Sequence, residues 1–266
     1  MNGTASTLFD VRDGVATLTL NEGARMNPLT DALQQGCLAA LKRVREDRSI
    51  RALIVTGEGK AFCAGADLAE FGRRAAQPGA SMGTYVGEMM EQTGNPIVAG
   101  LRALPVPVVC AMNGVAAGGG VGLALAADIV VAARSAYFYL PFVPALGLVP
   151  DMGASWHLPR ALGRARALAL TLTGDKLSAE KAVQWGLIWD CVDDAQLQAH
   201  CRQLASRLAE LPAGAANEAR ALFAAAESSS FEEQLARERE RQMELIERPA
   251  FAAGVASFGA RRKPGP

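Results

Sequence analysis

Residues 113–128, NGVAAGGGVGLALAAD, hold five glycines in sixteen positions. They follow the aliphatic run VPVVCAM (106–112) and run into another, DIVVAA (128–133). A glycine-dense turn between a strand and an apolar helical stretch lets something approach the backbone closely. That something is an anionic ligand, an oxyanion, or another piece of packed backbone. Gly122 adds a second constraint. It stands one turn inside the helical stretch, where glycine costs about 1 kcal/mol relative to alanine.

Phosphate-binding fingerprints do not fit. A dinucleotide turn reads G-x-G-x-x-G/A, but counting from Gly118 or Gly120 ends on Leu123 or Leu125. A Walker A loop has no match, since GEGKAF (57–62) carries the lysine without the spacing. What remains is a strand, a glycine turn and a helix start whose free N–H groups suit an oxyanion. Tight helix packing is the plainer reading of the same glycines. A second small-residue turn, GKAFCAGADL (59–68), follows the strand-like RALIVTG (51–57). Two such turns can aim one N–H each at a single oxygen.

The surrounding order is α/β. VATLTL (15–20), RALIVTG, VPVVCAM and DIVVAA read as strands, and PLTDALQQGCLAALKRVRED as a helix with Pro28 and Thr30 in its first turn. SAEKAVQWG reads as a helix stopped by Gly186, followed by a strand in LIWDCV. Beyond about residue 195 the pattern is almost wholly helical. The expected division is therefore a core over 1–195 and a helical region over 196–266. RRAAQPGASMGTY (73–85) reads as a mobile loop or a short exposed connection.

Lys+Arg and Asp+Glu both total 27, giving a formal net charge of zero. Such a balance argues against nucleic acid or an anionic membrane as the main partner. Cys37, Cys63, Cys110, Cys191 and Cys201 are scattered and lack metal-ligand spacing, as expected of buried thiols in a reducing compartment. No leader-like or membrane-spanning run stands out, so a cytoplasmic protein is expected. No metal motif and no G-x-S-x-G elbow occur. His157 and His200 read as packing or surface residues.

AFCAGADL and NGVAAGGGVGLALAADIVVAA, together with RMNPLT, the stretch from LGLVPDMGAS to WDCVDD (146–194) and the terminal GVASFGARRKP, resemble the crotonase superfamily, the enoyl-CoA hydratase/isomerase family. The resemblance runs nearly end to end. It implies a spiral of β-β-α turns followed by a C-terminal helical trimerisation region. It implies an acyl-CoA thioester as substrate, no separate cofactor, and a homotrimer or dimer of trimers. Carried over by motif, the oxyanion-hole amides are those of Ala64 and Gly119. The CoA moiety would run beside Ala66, Asp67 and Leu68, with Arg25 at its phosphates and Phe258 and Lys263 over its nucleotide. Each has a plainer reading: Asp67 as turn former, Arg25 as surface charge, Phe258 as packing.

The family's hydratases use two glutamates. Here those positions fall on Gly122 and, in FYLPF (138–142), on Phe142. Neither moves a proton, and each lost acid–base group costs ~10²–10⁴-fold. Asp151, in GLVPDMGAS, matches the single acid of the family's enoyl-CoA isomerases and ring-epoxyphenylacetyl-CoA isomerases, the branch the sequence resembles most. One carboxylate suffices to move a double bond. Asp151 also reads as the N-cap of a helix over MGASWHL. The alternatives are a hydratase or lyase with a different acid, and a CoA-ester-binding protein without catalysis. Tyr137, Phe138, Tyr139 and Phe142 line either an acyl pocket or the core.

Overall fold

The computed structural model describes residues 5–77, 79 and 81–261. Its first compact unit is Met1–Glu210 and its second Leu211–Pro266. The first begins with β1 (Thr7–Arg12), β2 (Val15–Leu20), β3 (Pro28–Leu29) and α1 (Asp31–Glu46), followed by β4 (Ala52–Gly57), β5 (Ala61–Cys63) and β6 (Gly65–Ala66). Next come α2 (Leu68–Ala75), α3 (Met82–Met89), a π-helical turn over Met90–Gly94 and α4 (Asn95–Arg102). β7 (Val108–Met112), β8 (Val115–Ala117), α5 (Gly119–Leu125), β9 (Ile129–Ala133) and β10 (Tyr137–Tyr139) follow. After a second π-helical turn, Phe142–Leu146, the unit closes with α6 (Ala154–Thr173), β11 (Leu177–Ser178), α7 (Ala179–Gln184), β12 (Asp190–Val192) and α8 (Leu197–Ala209).

The chain winds as repeated turns of long strand, short strand and helix. The long strands form a six-stranded sheet in the order β1-β2-β4-β7-β9-β12, parallel except for the β1–β2 hairpin. The short strands stack as β11-β10-β8-β5, and β3 pairs with β6 in a separate ladder. β4 and β7 are buried at every position. A parallel strand covered on both faces needs such continuous apolar runs, and ALIVTG and VVCAM supply them.

Helix α8 corrects the expected boundary at 195/196. Leu197, Cys201, Leu204 and Ala205 are its buried face, recurring at helical spacing. That face lies on β4 and β7. Gln198 Nε2 donates to Thr56 Oγ1 at 3.1 Å and Arg202 donates to Thr17 Oγ1 at 3.2 Å. The helix therefore belongs to the sheet unit. The loop expected over 73–85 is shorter than drawn, since α2 runs to Ala75 and α3 starts at Met82, capped by Ser81. Thr30 caps α1 by accepting the Leu33 N–H, while Pro28 lies in β3 instead of in the helix.

The second unit consists of α9 (Ala215–Ala226), α10 (Phe231–Ile246) and α11 (Pro249–Arg261). A capping box between Ser230 and Glu233 starts α10, and Arg241 bridges it to Glu218 of α9 at 2.8 Å. Among the described residues no helix is long and apolar enough to cross a membrane.

One buried side chain ties the first spiral turn together. Asn27 is fully buried in the left-handed region (φ 52°), which asparagine tolerates better than most residues. Its Nδ2 donates to the carbonyls of Glu58 (3.0 Å), Ala61 (2.9 Å) and Phe62 (3.2 Å), and its Oδ1 accepts the Glu22 N–H (2.8 Å). Asn27→Ala leaves these groups without their partner and keeps the strained φ. It is expected to lower unfolding stability by about 3 kcal/mol, measured by urea titration; a loss below about 1 kcal/mol would show that water replaces the amide.

Candidate active site

The first small-residue turn is β5–β6. Gly65 sits at φ +85°, and a Cβ there would lie 2.7 Å from Ala117 O and 3.2 Å from the Gly119 nitrogen. Only glycine lets this turn touch the second one. The second turn passes through Gly118 (φ 52°, ψ −129°), whose N–H donates to Tyr139 O at 3.0 Å, and enters α5 at Gly119. As the first residue of a helix, Gly119 has an N–H with no intrahelical acceptor. The structure thus brings the two turns together.

The two expected amides differ in availability. The Ala64 N–H donates to Met26 O at 2.9 Å. It is already engaged in backbone pairing, so the expectation that Ala64 faces a substrate oxygen does not fit this geometry. Ala66 lies two residues on in the same extended segment, paired with Leu29 in the β3–β6 ladder. Leu29 Cδ1 in turn comes within 3.1 Å of the point where a Cβ on Gly119 would stand. The sequence motif marks the turn; it gives no sign of which alanine amide is tied to Met26.

Asp151 comes to the same place. Its Oδ1 lies 3.3 Å from the position of a Cβ on Gly119. That oxygen is buried and has no hydrogen-bond partner among the described residues. Burial pushes the carboxyl pKa up to about 6, opposed only by a backbone hydrogen bond, as expected when a carboxylate leaves water without gaining donors. The N-cap reading does not hold: α6 starts at Ala154 behind Gly153, with no side-chain cap bond.

The positions of the two absent glutamates are also filled. Phe142 is buried, and its Cζ is 3.8 Å from where a Cβ on Gly118 would stand. A Cβ on Gly122 would meet Met152 O at 2.2 Å. Of the aromatic group, Phe138 and Phe142 are buried and Tyr137 and Tyr139 half-buried; Lys176 lies over the Tyr137 ring at 4.6 Å.

Around the turn entrance, Asp67 caps α2 by accepting the Glu70 N–H at 3.3 Å and pairs with Arg25 at 2.7 Å. Burial alone would raise the Asp67 pKa, but the Arg25 hydrogen bond and the helix N–H bonds outweigh it and hold the group below the usual carboxylate range. The hydrogen bond to Asp67, then its charge, raises the Arg25 pKa further. Arg25 also meets Glu22 at 3.2 Å and stays half exposed. Asp67 is therefore both the turn former and a basic residue's partner. Leu68 is exposed at the start of α2. Lys263 and the side chain of Phe258 lie outside the described residues.

Cys63, beside the first turn, is fully buried, and burial pushes its thiol up to about 12. That is the behaviour of a packed thiol, not a nucleophile. His157 packs edge-on against Trp156, and His200 lies 3.5 Å from Asp190.

The model of the family described as enoyl-CoA hydratase/isomerase matches residues 10–265. A 1,2-epoxyphenylacetyl-CoA isomerase of Escherichia coli (strain K12) is 44% identical over 257 residues, covering 97% of this chain and 96% of that protein. A protein of Rhodobacter capsulatus named "Probable enoyl-CoA hydratase" is 38% identical, covering 96% of this chain and 95% of its own length. Among solved structures, an enoyl-CoA hydratase from Bacillus anthracis superposes with a TM-score of 0.87 at 30% identity, covering 98% of each chain. The chain therefore belongs to the enoyl-CoA hydratase/isomerase family and is an enzyme with the crotonase fold.

Proposed function

We propose that this enzyme moves a double bond in an enoyl-CoA thioester, or carries out the related isomerisation of a ring-epoxide phenylacetyl-CoA, with Asp151 as its one acid–base group. The observation that carries the reading is the buried, unpartnered Oδ1 of Asp151 beside Gly119. A carboxylate whose pKa is raised to about 6 both takes and returns a proton near neutrality. The name of the Escherichia coli relative points the same way.

In a 3-enoyl thioester, Asp151 removes a C2 proton. The electron pair of the broken C–H bond forms the C1–C2 double bond, and the thioester oxygen takes up the negative charge. The Gly119 N–H, with that of Ala66 in place of Ala64, stabilises this enolate. The same carboxyl then returns its proton to C4, and the double bond settles between C2 and C3. No water is consumed, so no second carboxylate is needed, in keeping with Gly122 and Phe142 at the hydratase positions.

The CoA moiety runs past Ala66, Asp67 and Leu68. Arg25 meets its phosphates, which exchange with Asp67 and Glu22 as partners. Phe258 and Lys263 complete the nucleotide site. The enzyme assembles as a homotrimer or dimer of trimers through the second unit, where Phe223 and Phe231 are each 73% exposed and Met243 64%. A lone chain rarely leaves such side chains in water.

Asp151→Asn is expected to lower turnover of trans-3-hexenoyl-CoA and C2 exchange in D2O by ~10²–10⁴-fold, with hexanoyl-CoA binding retained. Near wild-type turnover by the variant, faster water addition to trans-2-hexenoyl-CoA by the wild type, or tight binding with no exchange would each overturn the reading. The ionised form is the base, so kcat/KM should rise with pH through about 6. The folded pKa lies above the unfolded value, near 3.9. Ionised Asp151 therefore destabilises the fold, with the penalty absent below pH ~4, growing up to about pH 6 and constant above it. Asp151→Asn should melt higher than wild type at pH 8, an advantage that fades at acid pH; an equal difference at both pH values would contradict the raised pKa. Sedimentation should give three or six times the 27.9 kDa chain mass.

A further inference from the structure

Catalytic carboxylates are ordinarily oriented by hydrogen bonds, yet Asp151 Oδ1 has none among the described residues. Beyond one backbone hydrogen bond to the carboxyl, packing must fix it. The residue that follows, Met152, is buried and left-handed (φ 50°). It is held among three glycines. Its Sδ lies 3.1 Å from the Cβ position on Gly94, in the π-helical turn, and its Cγ 3.1 Å from that on Gly119. Its peptide is closest to Gly122: a Cβ there would stand 2.2 Å from Met152 O and 2.7 Å from both its carbonyl carbon and its Cβ. The first two are backbone atoms, which cannot swing aside as a flexible side-chain end does.

We infer that Gly122 is a positioning residue for Asp151: the bare Cα on α5 seats the Met152 peptide, and that seat holds the preceding carboxylate beside Gly119. Any side chain at 122 drives the 151–153 turn off α5 and carries Asp151 toward water. A glutamate at 122 and a seated Asp151 thus exclude each other. Gly122→Glu does not make a hydratase of this protein; it removes the isomerase base. The inference rests on the reading of Asp151 as acid–base group.

The test compares Gly122→Ala with wild type in the full chain, with trans-3-hexenoyl-CoA for turnover and hexanoyl-CoA for binding. A displacement near 1 Å is expected to lower kcat ~100-fold, with hexanoyl-CoA affinity within about twofold of wild type. The midpoint of the pH dependence of kcat/KM should fall from about 6 toward the ordinary carboxylate value. Gly153→Ala disturbs the same turn from the other side through its φ of +82°, where a Cβ would have ordinary contact with His157 at 3.6 Å. It should shift the midpoint in the same direction with a ~10-fold loss of kcat. Val121→Ala removes packing from the same helix and should lower the melting temperature with the midpoint unchanged, a separation that a merely structural role for Gly122 would not produce. Wild-type kcat and midpoint in folded Gly122→Ala overturn the inference, and if that variant does not fold, Gly153→Ala decides on the same criterion. If Asp151→Asn itself turns over like wild type, the underlying reading falls, and this inference with it. If Asp151→Asn is inactive while Gly122→Ala is normal, only the inference falls.

Discussion

The site depends on one backbone-to-backbone contact, that of Gly65 with the Ala117–Gly119 turn. Two successive windings of the spiral meet there, closely enough that a Cβ on Gly65 would lie 3.2 Å from the Gly119 nitrogen. A side chain at 65 would separate the turns, and with them the two amides proposed to share an oxygen. Each turn is held from behind. Asn27 gathers the carbonyls of residues 58, 61 and 62, and Tyr139 O takes the Gly118 N–H. Donors fixed in this way need no reorganisation as charge develops, which is where such holes derive their effect.

The long strands are legible because near-continuous burial, complete in β4 and β7, restricts them largely to aliphatic and small residues. VATLTL, ALIVTG, VVCAM and IVVAA sit within two residues of where their aliphatic runs place them. β1 gives no such signal, since its residues alternate only between exposed and half-buried. β3, β6 and β11 have two residues each, too few to show any period. The end of the sheet unit is hidden in the sequence for a related reason. Helical periodicity reports that α8 has an apolar face, but not that the face lies on β4 and β7 instead of on other helices.

Within the site, local sequence marked both turns and Asp151, but not the long-range pairings that decide their roles. Ala64 and Ala66 look alike in CAGAD; the difference between them is a hydrogen bond from Ala64 to Met26 O, far away in the chain. Gly122 read as a lost glutamate, while its steric meaning lay in Met152, thirty residues on. Asp151 resembled a helix cap until α6 proved to begin behind Gly153.

Asp67 and Asp151 show how one residue type is shifted in opposite directions in one protein. Asp67 receives a guanidinium and helix N–H groups, so its charge is favoured and its pKa held down. Asp151 receives neither at Oδ1, and burial raises it to about 6. Adding donors to Asp151 would orient it better but weaken it in the proposed role of base, because every hydrogen bond to the ionised form lowers the pKa. In the proposed role, a carboxyl that has to titrate near neutrality is placed more by shape than by donors. Shape placement asks for rigid backbone on several sides, which Gly94, Gly119 and Gly122 provide by admitting Met152 closely. The glycine that weakens α5 as a helix is thereby what gives a carboxyl with an unpartnered Oδ1 its proposed defined position.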